Sequence, residues 1–143
     1  MHQPSEAIER FFRTFESNTN SDNVAATVSL FADVFMAASP QGAQAVRGGD
    51  FALALPRKKQ LFDSLGCRST ELVTLTETRL DARYTMASTQ WKMTFARSGS
   101  ETQDVVAESV YIVDTGGVEP KIVFYLANQD LMQVLKERGL LTT

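Results

Sequence analysis

Four strand-like runs follow one another between Ser69 and Leu126, and most of the chain ahead of them has helical spacing. That order constrains the fold more than any motif does. Long consecutive strands joined by short turns pair antiparallel. A sheet with one apolar face must bury that face against another layer, and here the helices that precede it are available to do so. The run around Trp91 carries the clearest alternation: Trp91, Met93 and Phe95 fall on one side, and Gln90, Lys92 and Thr94 on the other. The expected architecture is α+β, a curved antiparallel sheet wrapped around N-terminal helices, with a short C-terminal helix.

Ser5 is placed to cap a helix from about Glu6 to Glu16, with Glu6 and Glu9 in the first turns, where negative charge suits the helix dipole. Ile8, Phe12 and Phe15 share one face of it. The polar stretch Asn18–Asn23 ends in a second cap signal, and Val24 to Phe31 reads as a short helix. Val34–Ala38 reads as a strand and Gln44–Arg47 as its hairpin partner across Pro40–Gly42. Pro56 cannot donate a backbone hydrogen bond and crowds the preceding turn. The next helical block is therefore expected as two pieces, Asp50–Leu55 and Pro56–Leu65, stopped by Gly66. Turns are expected at Leu80–Arg83, Ser98–Glu101 and Thr115–Gly117. A closing amphipathic helix is expected over Gln129–Arg138. The 143 residues form one expected domain, 1–143, and 43% hydrophobic content is enough to build its core without disulfide or metal staples.

Composition excludes some functions. A net charge of -3 lacks the basic face that general nucleic-acid binding requires. No apolar run approaches the roughly 20 residues needed to span a bilayer, so no membrane role is expected. The start, Met1–Glu6, has no positive region leading into an apolar one, and no signal peptide is expected. Cys67 is the single cysteine, compatible with a reducing compartment, and the expected location is cytoplasmic. With His2 the only histidine, neither a histidine-rich metal site nor a Ser-His or Cys-His nucleophilic pair is expected, and no cofactor is expected.

The segment Leu30–Phe35 followed by Ser39–Gly42, the strand core Trp91–Met93 and the run Ile122–Leu126 give the chain its resemblance to a known group. Over nearly its whole length it resembles the nuclear transport factor 2-like superfamily of cone-shaped, cystatin-like α+β domains, and most closely the SnoaL-like, polyketide-cyclase-type members. The resemblance implies a pocket between the concave sheet and the first helices, and homodimers formed through the outer sheet face. It also tests specific chemistries. The ketosteroid-isomerase branch places a catalytic Asp before the proline after the first strand, where this chain has Ser39. That branch also uses a tyrosine on the first helix, where this chain has Phe11, Phe12 and Phe15. Arg79-Leu80-Asp81 resembles the Arg-x-Asp triplet of the limonene-epoxide-hydrolase branch, but it falls at an expected hairpin tip. Scytalone-dehydratase-like chemistry depends on pocket histidines, and His2 is the only one.

Three readings follow. The first is a binding domain for a small apolar or aromatic molecule, lined by Phe12, Phe15, Phe31, Phe35, Trp91, Met93, Tyr111 and Tyr125. The plainer account of each is core packing, and as a set they suit an apolar pocket with a few polar groups. The second is an isomerase, cyclase or dehydratase in which a buried Asp33 acts as acid or base. The alternative for Asp33 is a loop carboxylate capping local backbone. Glu108 and Arg57-Lys58-Lys59 read first as solvated faces. The third is a dimeric protein-interaction module.

Overall fold

A computed structural model describes residues 3–96 and 101–140. Helix α1 spans Glu6–Asn20, α2 Val24–Val28 and α3 Gly48–Ser64, and a short α4 spans Leu131–Glu137. Strands β1 (Phe31–Ser39) and β2 (Gly42–Arg47) come between α2 and α3. Strands β3 (Cys67–Arg79), β4 (Tyr84–Phe95), β5 (Gln103–Asp114) and β6 (Lys121–Ala127) come after α3. They form one six-stranded curved sheet in the order β2-β1-β6-β5-β4-β3. All neighbours pair antiparallel except β1 and β6, which run parallel. The α+β cone expected from the sequence is the fold observed. No helix among the described residues is long and apolar enough to cross a membrane.

The concave face is decided by β4, whose residues from Tyr84 to Phe95 alternate strictly between half-buried and buried. Trp91, Met93 and Phe95 face inward, as the alternation predicts. Two apolar clusters divide this face. In the first, Ile8, Phe11 and Phe12 of α1 pack against Phe31, Phe35, Leu72, Trp91, Tyr111 and Ile122 of the sheet. In the second, Phe62 and Leu65 at the end of α3 join Leu135 of α4 over Met93, Phe95 and Val105.

Helix α3 is continuous, with Pro56 inside it, where the sequence predicts a break. Its two halves are anchored separately. Phe51 sits 4.6 Å from Phe31 and 5.0 Å from Phe35, ring centre to centre, and Phe62 sits 6.4 Å from Phe95. Packing at both ends holds the helix together across a residue that supplies no backbone donor. The α2 helix is shorter than expected, because Phe31 already belongs to β1.

Helix α1 is also bonded to the sheet edge. Strand β3 lies at one edge, where unpaired backbone groups invite association with other strands. The Asn20 amide accepts from the Thr70 N–H at 2.9 Å and donates to the Thr70 carbonyl at 2.8 Å. Glu16 accepts from the Leu72 N–H at 2.7 Å. Side chains of α1 thus take the place of a further strand.

Candidate functional site

At the open end of the concave face, where β1 and β2 turn back at Pro40–Gly42, lies a shallow groove of about 450 Å³. Its lining includes Ala37, Ser39, Gly42, Gln44, Tyr125 and Ala127. The register explains why these residues meet: Ala37 is paired with Gln44 on one side and with Tyr125 on the other. A local irregularity in β6 is equally necessary. Ile122 pairs with Val113 and Phe124 with Ile112, so Val123 is an extra residue. This bulge lets Ile122 and Tyr125, three apart, face the same side of the sheet.

Tyr125 joins the groove to the core. Its ring is stacked on Tyr111 with centres 5.2 Å apart. Tyr111 continues inward to Phe12 at 5.2 Å and Phe15 at 5.7 Å, and Phe15 reaches Trp91 at 5.6 Å and Phe31 at 5.8 Å. A thread of polar groups runs through this cluster. The Trp91 indole N–H donates to Thr89 Oγ1 at 2.9 Å. Thr89 Oγ1 donates to the Ser109 carbonyl at 2.9 Å and lies 2.8 Å from Ser109 Oγ. Ser109 Oγ in turn donates to the Tyr111 hydroxyl at 3.4 Å. Burial, reinforced by neighbouring Tyr125, pushes the Tyr111 phenol well above its ordinary pKa against the opposing bond from Ser109. Burial also raises that of Tyr125. Both phenols therefore remain protonated at neutral pH and act as hydrogen-bond donors or acceptors, not as bases.

The rim of the groove is tied to α4. Ser39 Oγ donates to Gln41 Oε1 at 3.1 Å, and Gln41 Nε2 donates to Asp130 Oδ2 at 2.7 Å. Asp130 is the N-cap of α4. The β1–β2 turn and the closing helix thus share one chain of hydrogen bonds.

No protein-family model matches the sequence, and no curated protein sequence matches it. Solved structures do match in shape. An NTF2-like protein with a cystatin-like fold from Novosphingobium aromaticivorans superposes with a TM-score of 0.72 at 15% identity, over 96% of this chain and 88% of that one. The beta subunit of the benzoate 1,2-dioxygenase from Burkholderia mallei gives 0.66 at 17% identity, over 90% and 92%. A ketosteroid isomerase-like protein from Erwinia carotovora atroseptica gives 0.62 at 10% identity, over 87% and 94%. The chain has the nuclear transport factor 2-like fold.

Within this nuclear transport factor 2-like cone, the structure brings together seven of the eight residues proposed as pocket lining. Phe12, Phe31, Phe35, Trp91 and Tyr111 are buried in one cluster, with Phe15 and Tyr125 packed against it. They touch each other as a core does, and of the seven Tyr125 lines the groove. Met93 belongs to the second cluster, beside Phe62 and Leu135, because β4 is long enough to cross both. Asp33 is exposed on β1, so the buried setting that an acid or base role calls for is not what β1 provides. Glu108 is exposed on β5, and Arg79 and Asp81 are exposed at the β3–β4 turn, as read from the sequence. In the basic cluster Lys59 pairs with Asp22 and Asp63, and Lys58 lies over the Phe62 ring. His2 lies outside the described residues, as does most of the turn expected at Ser98–Glu101.

Sequence reading missed Glu77, a buried carboxylate on the concave face at 8% exposure. It accepts from the Ser5 N–H at 2.8 Å and from Thr85 Oγ1 at 2.7 Å, and Arg79 lies 4.0 Å away. It also missed the groove, whose walls are alanine, glycine, serine and glutamine and carry no chemical signature.

Proposed function

We propose that this chain is a small-molecule-binding cone-fold protein whose pocket takes an apolar or aromatic ligand. The observation that carries this reading is the position of Tyr125, which lines the groove and stacks on the aromatic core. A ligand ring laid in the groove meets the small side chains of Ala37 and Ala127 and the Tyr125 ring, an aromatic surface continuous with the core, while Ser39, Gln41 and Gln44 supply polar groups beside it. That combination gives an apolar contact surface with a few polar groups to orient a ligand.

Trp91 is the only tryptophan, and the Phe15, Tyr111 and Tyr125 rings connect it to the groove. Titration with naphthalene, anthraquinone and a steroid, followed by Trp91 fluorescence and by amide NMR shifts, tests the reading. Saturable shifts clustered on Ala37, Gln44, Tyr125 and Ala127 are the expected result. Shifts scattered over the surface, or none for any compound, would reject it.

Homodimerisation through the outer sheet face belongs to the same proposal. On that face the pairings align Met86, Ile112, Phe124 and Met36 across four strands, with Val110, Leu126 and Ala38 in the row beside them. The described helices pack on the opposite face, and Met36 is 41% exposed. A second copy of the same chain would bury this stripe. A cytoplasmic location is part of the reading, supported by the lone Cys67. The enzymatic alternative, with Asp33 as acid or base of an isomerase, cyclase or dehydratase, has less support, because Asp33 is exposed and outside the groove lining. It would gain support from a turnover that Asp33→Asn abolishes.

A further inference from the structure

We propose that the outer edge of β2 is a docking site for an extended acidic peptide, which adds to the sheet as a further antiparallel strand with a carboxylate opposite Arg47. This inference is independent of the groove and its ligand.

The register fixes which backbone groups the edge offers. Pro40 and Gln41 alone separate the paired residues Ser39 and Gly42, so that pair exchanges backbone hydrogen bonds and the pattern alternates from there. Gly42, Gln44 and Val46 thus bond to β1. Ala43 and Ala45 turn their N–H and C=O groups to the outer side, and Arg47 its N–H, because the Arg47 carbonyl begins the first turn of α3. Every residue of β2 except Val46 is exposed. The pairing with β1 is regular, and the strand holds no proline, lysine or bulge, the devices that blunt a sheet edge. At the opposite edge Asn20 and Glu16 supply such a device for β3.

Side chains select the occupant. Ala45 extends the outer-face row of Met86, Ile112, Phe124 and Met36, and Ala43 extends the row beside it. Two small residues leave room for larger apolar side chains on an added strand. Arg47 lies on the same face, is exposed and makes no ion pair with another described residue. An acidic residue directly across from it completes a cross-strand pair of opposite charge. A peptide of the pattern acidic-x-apolar-x-apolar, running antiparallel, sets its carboxylate opposite Arg47 and its apolar residues opposite Ala45 and Ala43. A second copy of β2 fits less well. Two-fold pairing about Ala45 sets each Arg47 against Ala43, and pairing about Arg47 sets two guanidinium groups together.

The probe is the blocked peptide acetyl-Ser-Glu-Thr-Val-Thr-Val-Ser-amide, titrated into the full chain and followed by amide NMR shifts. Saturable shifts on Ala43, Ala45 and Arg47 are expected. A methyl on the nitrogen of the first valine, which faces Ala45, is expected to weaken binding about tenfold, because it removes a backbone donor from the ladder. A methyl on the nitrogen of the threonine before it points away from β2 and is expected to change affinity less than about twofold. Lysine in place of the peptide glutamate is expected to weaken binding about three- to fivefold, and Arg47→Glu to reverse that preference. No saturable binding, equal losses from the two methyl groups, or a glutamate preference that survives in Arg47→Glu would overturn the inference. Ala43 and Ala45 shifts that depend on protein concentration without peptide would assign the edge to a second copy and overturn it as well. An unchanged Trp91 emission spectrum in Arg47→Glu verifies that the variant is folded. None of these outcomes bears on the groove, whose occupancy is read at Tyr125 and Ala127.

Discussion

Glu77 holds the first helix to the sheet through its charge. Burial alone would raise its pKa, but the Ser5 N–H, the Thr85 hydroxyl and nearby Arg79 together outweigh burial and hold it below the ordinary 4.5. Because Ser5 is the N-cap of α1, the carboxylate also lies at the positive end of that helix. A group with a depressed folded pKa contributes stability that is complete above its unfolded value and disappears as pH falls through the folded one. Glu77→Gln is expected to cost about 1–2 kcal/mol near neutral pH. The urea midpoints of wild type and variant should then converge as pH falls below about 4.5. A difference that persists unchanged in acid would assign the loss to shape instead of charge. This residue was illegible in the sequence for a definite reason. Strict alternation puts Leu72 and Glu77, five apart, on opposite faces. The bulge between Leu72 and Thr74 adds one residue, so Leu72 pairs with Trp91 and Glu77 with Ala87, both on the concave side. The extra residue in β6 does the same for Tyr125. Bulges leave no reliable signal in residue type, so Glu77 escapes a period-two reading, whereas Tyr125 is legible only as one of the aromatic residues.

The elements legible in sequence are those in which local pattern and tertiary role agree. Ser5 caps α1, β4 alternates throughout, and the turn at Leu80–Arg83 falls where the polar residues are. Elements set by distant contacts were legible only in part. The parallel pairing of β1 with β6 joins segments far apart in the chain, and nothing in either strand announces it. Helix α3 shows tertiary contacts overriding local preference. At Pro56 the helix lacks the bond from residue 56 to the Ala52 carbonyl, and the ring crowds that carbonyl. Pro56 is exposed, so its replacement disturbs no core contact. Pro56→Ala restores the donor and removes the crowding, while the unfolded chain regains some freedom, an offset of about 0.4–1 kcal/mol. The net expectation is a gain of about 1–2 kcal/mol, read as a higher urea midpoint with an unchanged slope. A loss of stability would show that the bend imposed by proline is needed to bring Phe51 and Phe62 onto their separate clusters.

At the scale of the whole molecule the two sheet faces have separate tasks. The concave face is divided between two clusters, and the groove takes what remains at the open end. The convex face keeps an apolar stripe centred on Ile112, flanked in register by Met86 and Phe124. The two edges are treated differently as well: side chains of α1 bond the backbone of β3, whereas β2 is the outer strand at the other edge. A stripe on the flat middle of the sheet suits a two-fold dimer better than edge pairing does, because an isologous contact sets the same patch against itself. Such symmetry makes one substitution act twice. Ile112→Lys places two ammonium groups in the contact, each stripped of water, against a cost at a monomer surface of only a few tenths of a kcal/mol. Equilibrium sedimentation is expected to give a dimer for the wild-type chain and a monomer for Ile112→Lys, with the same circular dichroism spectrum. A monomeric wild type would overturn the dimer. A dimeric Ile112→Lys would move the contact to another surface, with the β2 edge the first place to look. The groove opens on the other side of the sheet from Ile112, so binding of an aromatic ligand should be equal in monomer and dimer. A ligand affinity that falls with dissociation would instead mean that the partner subunit supports the β1–β2 hairpin forming the groove wall.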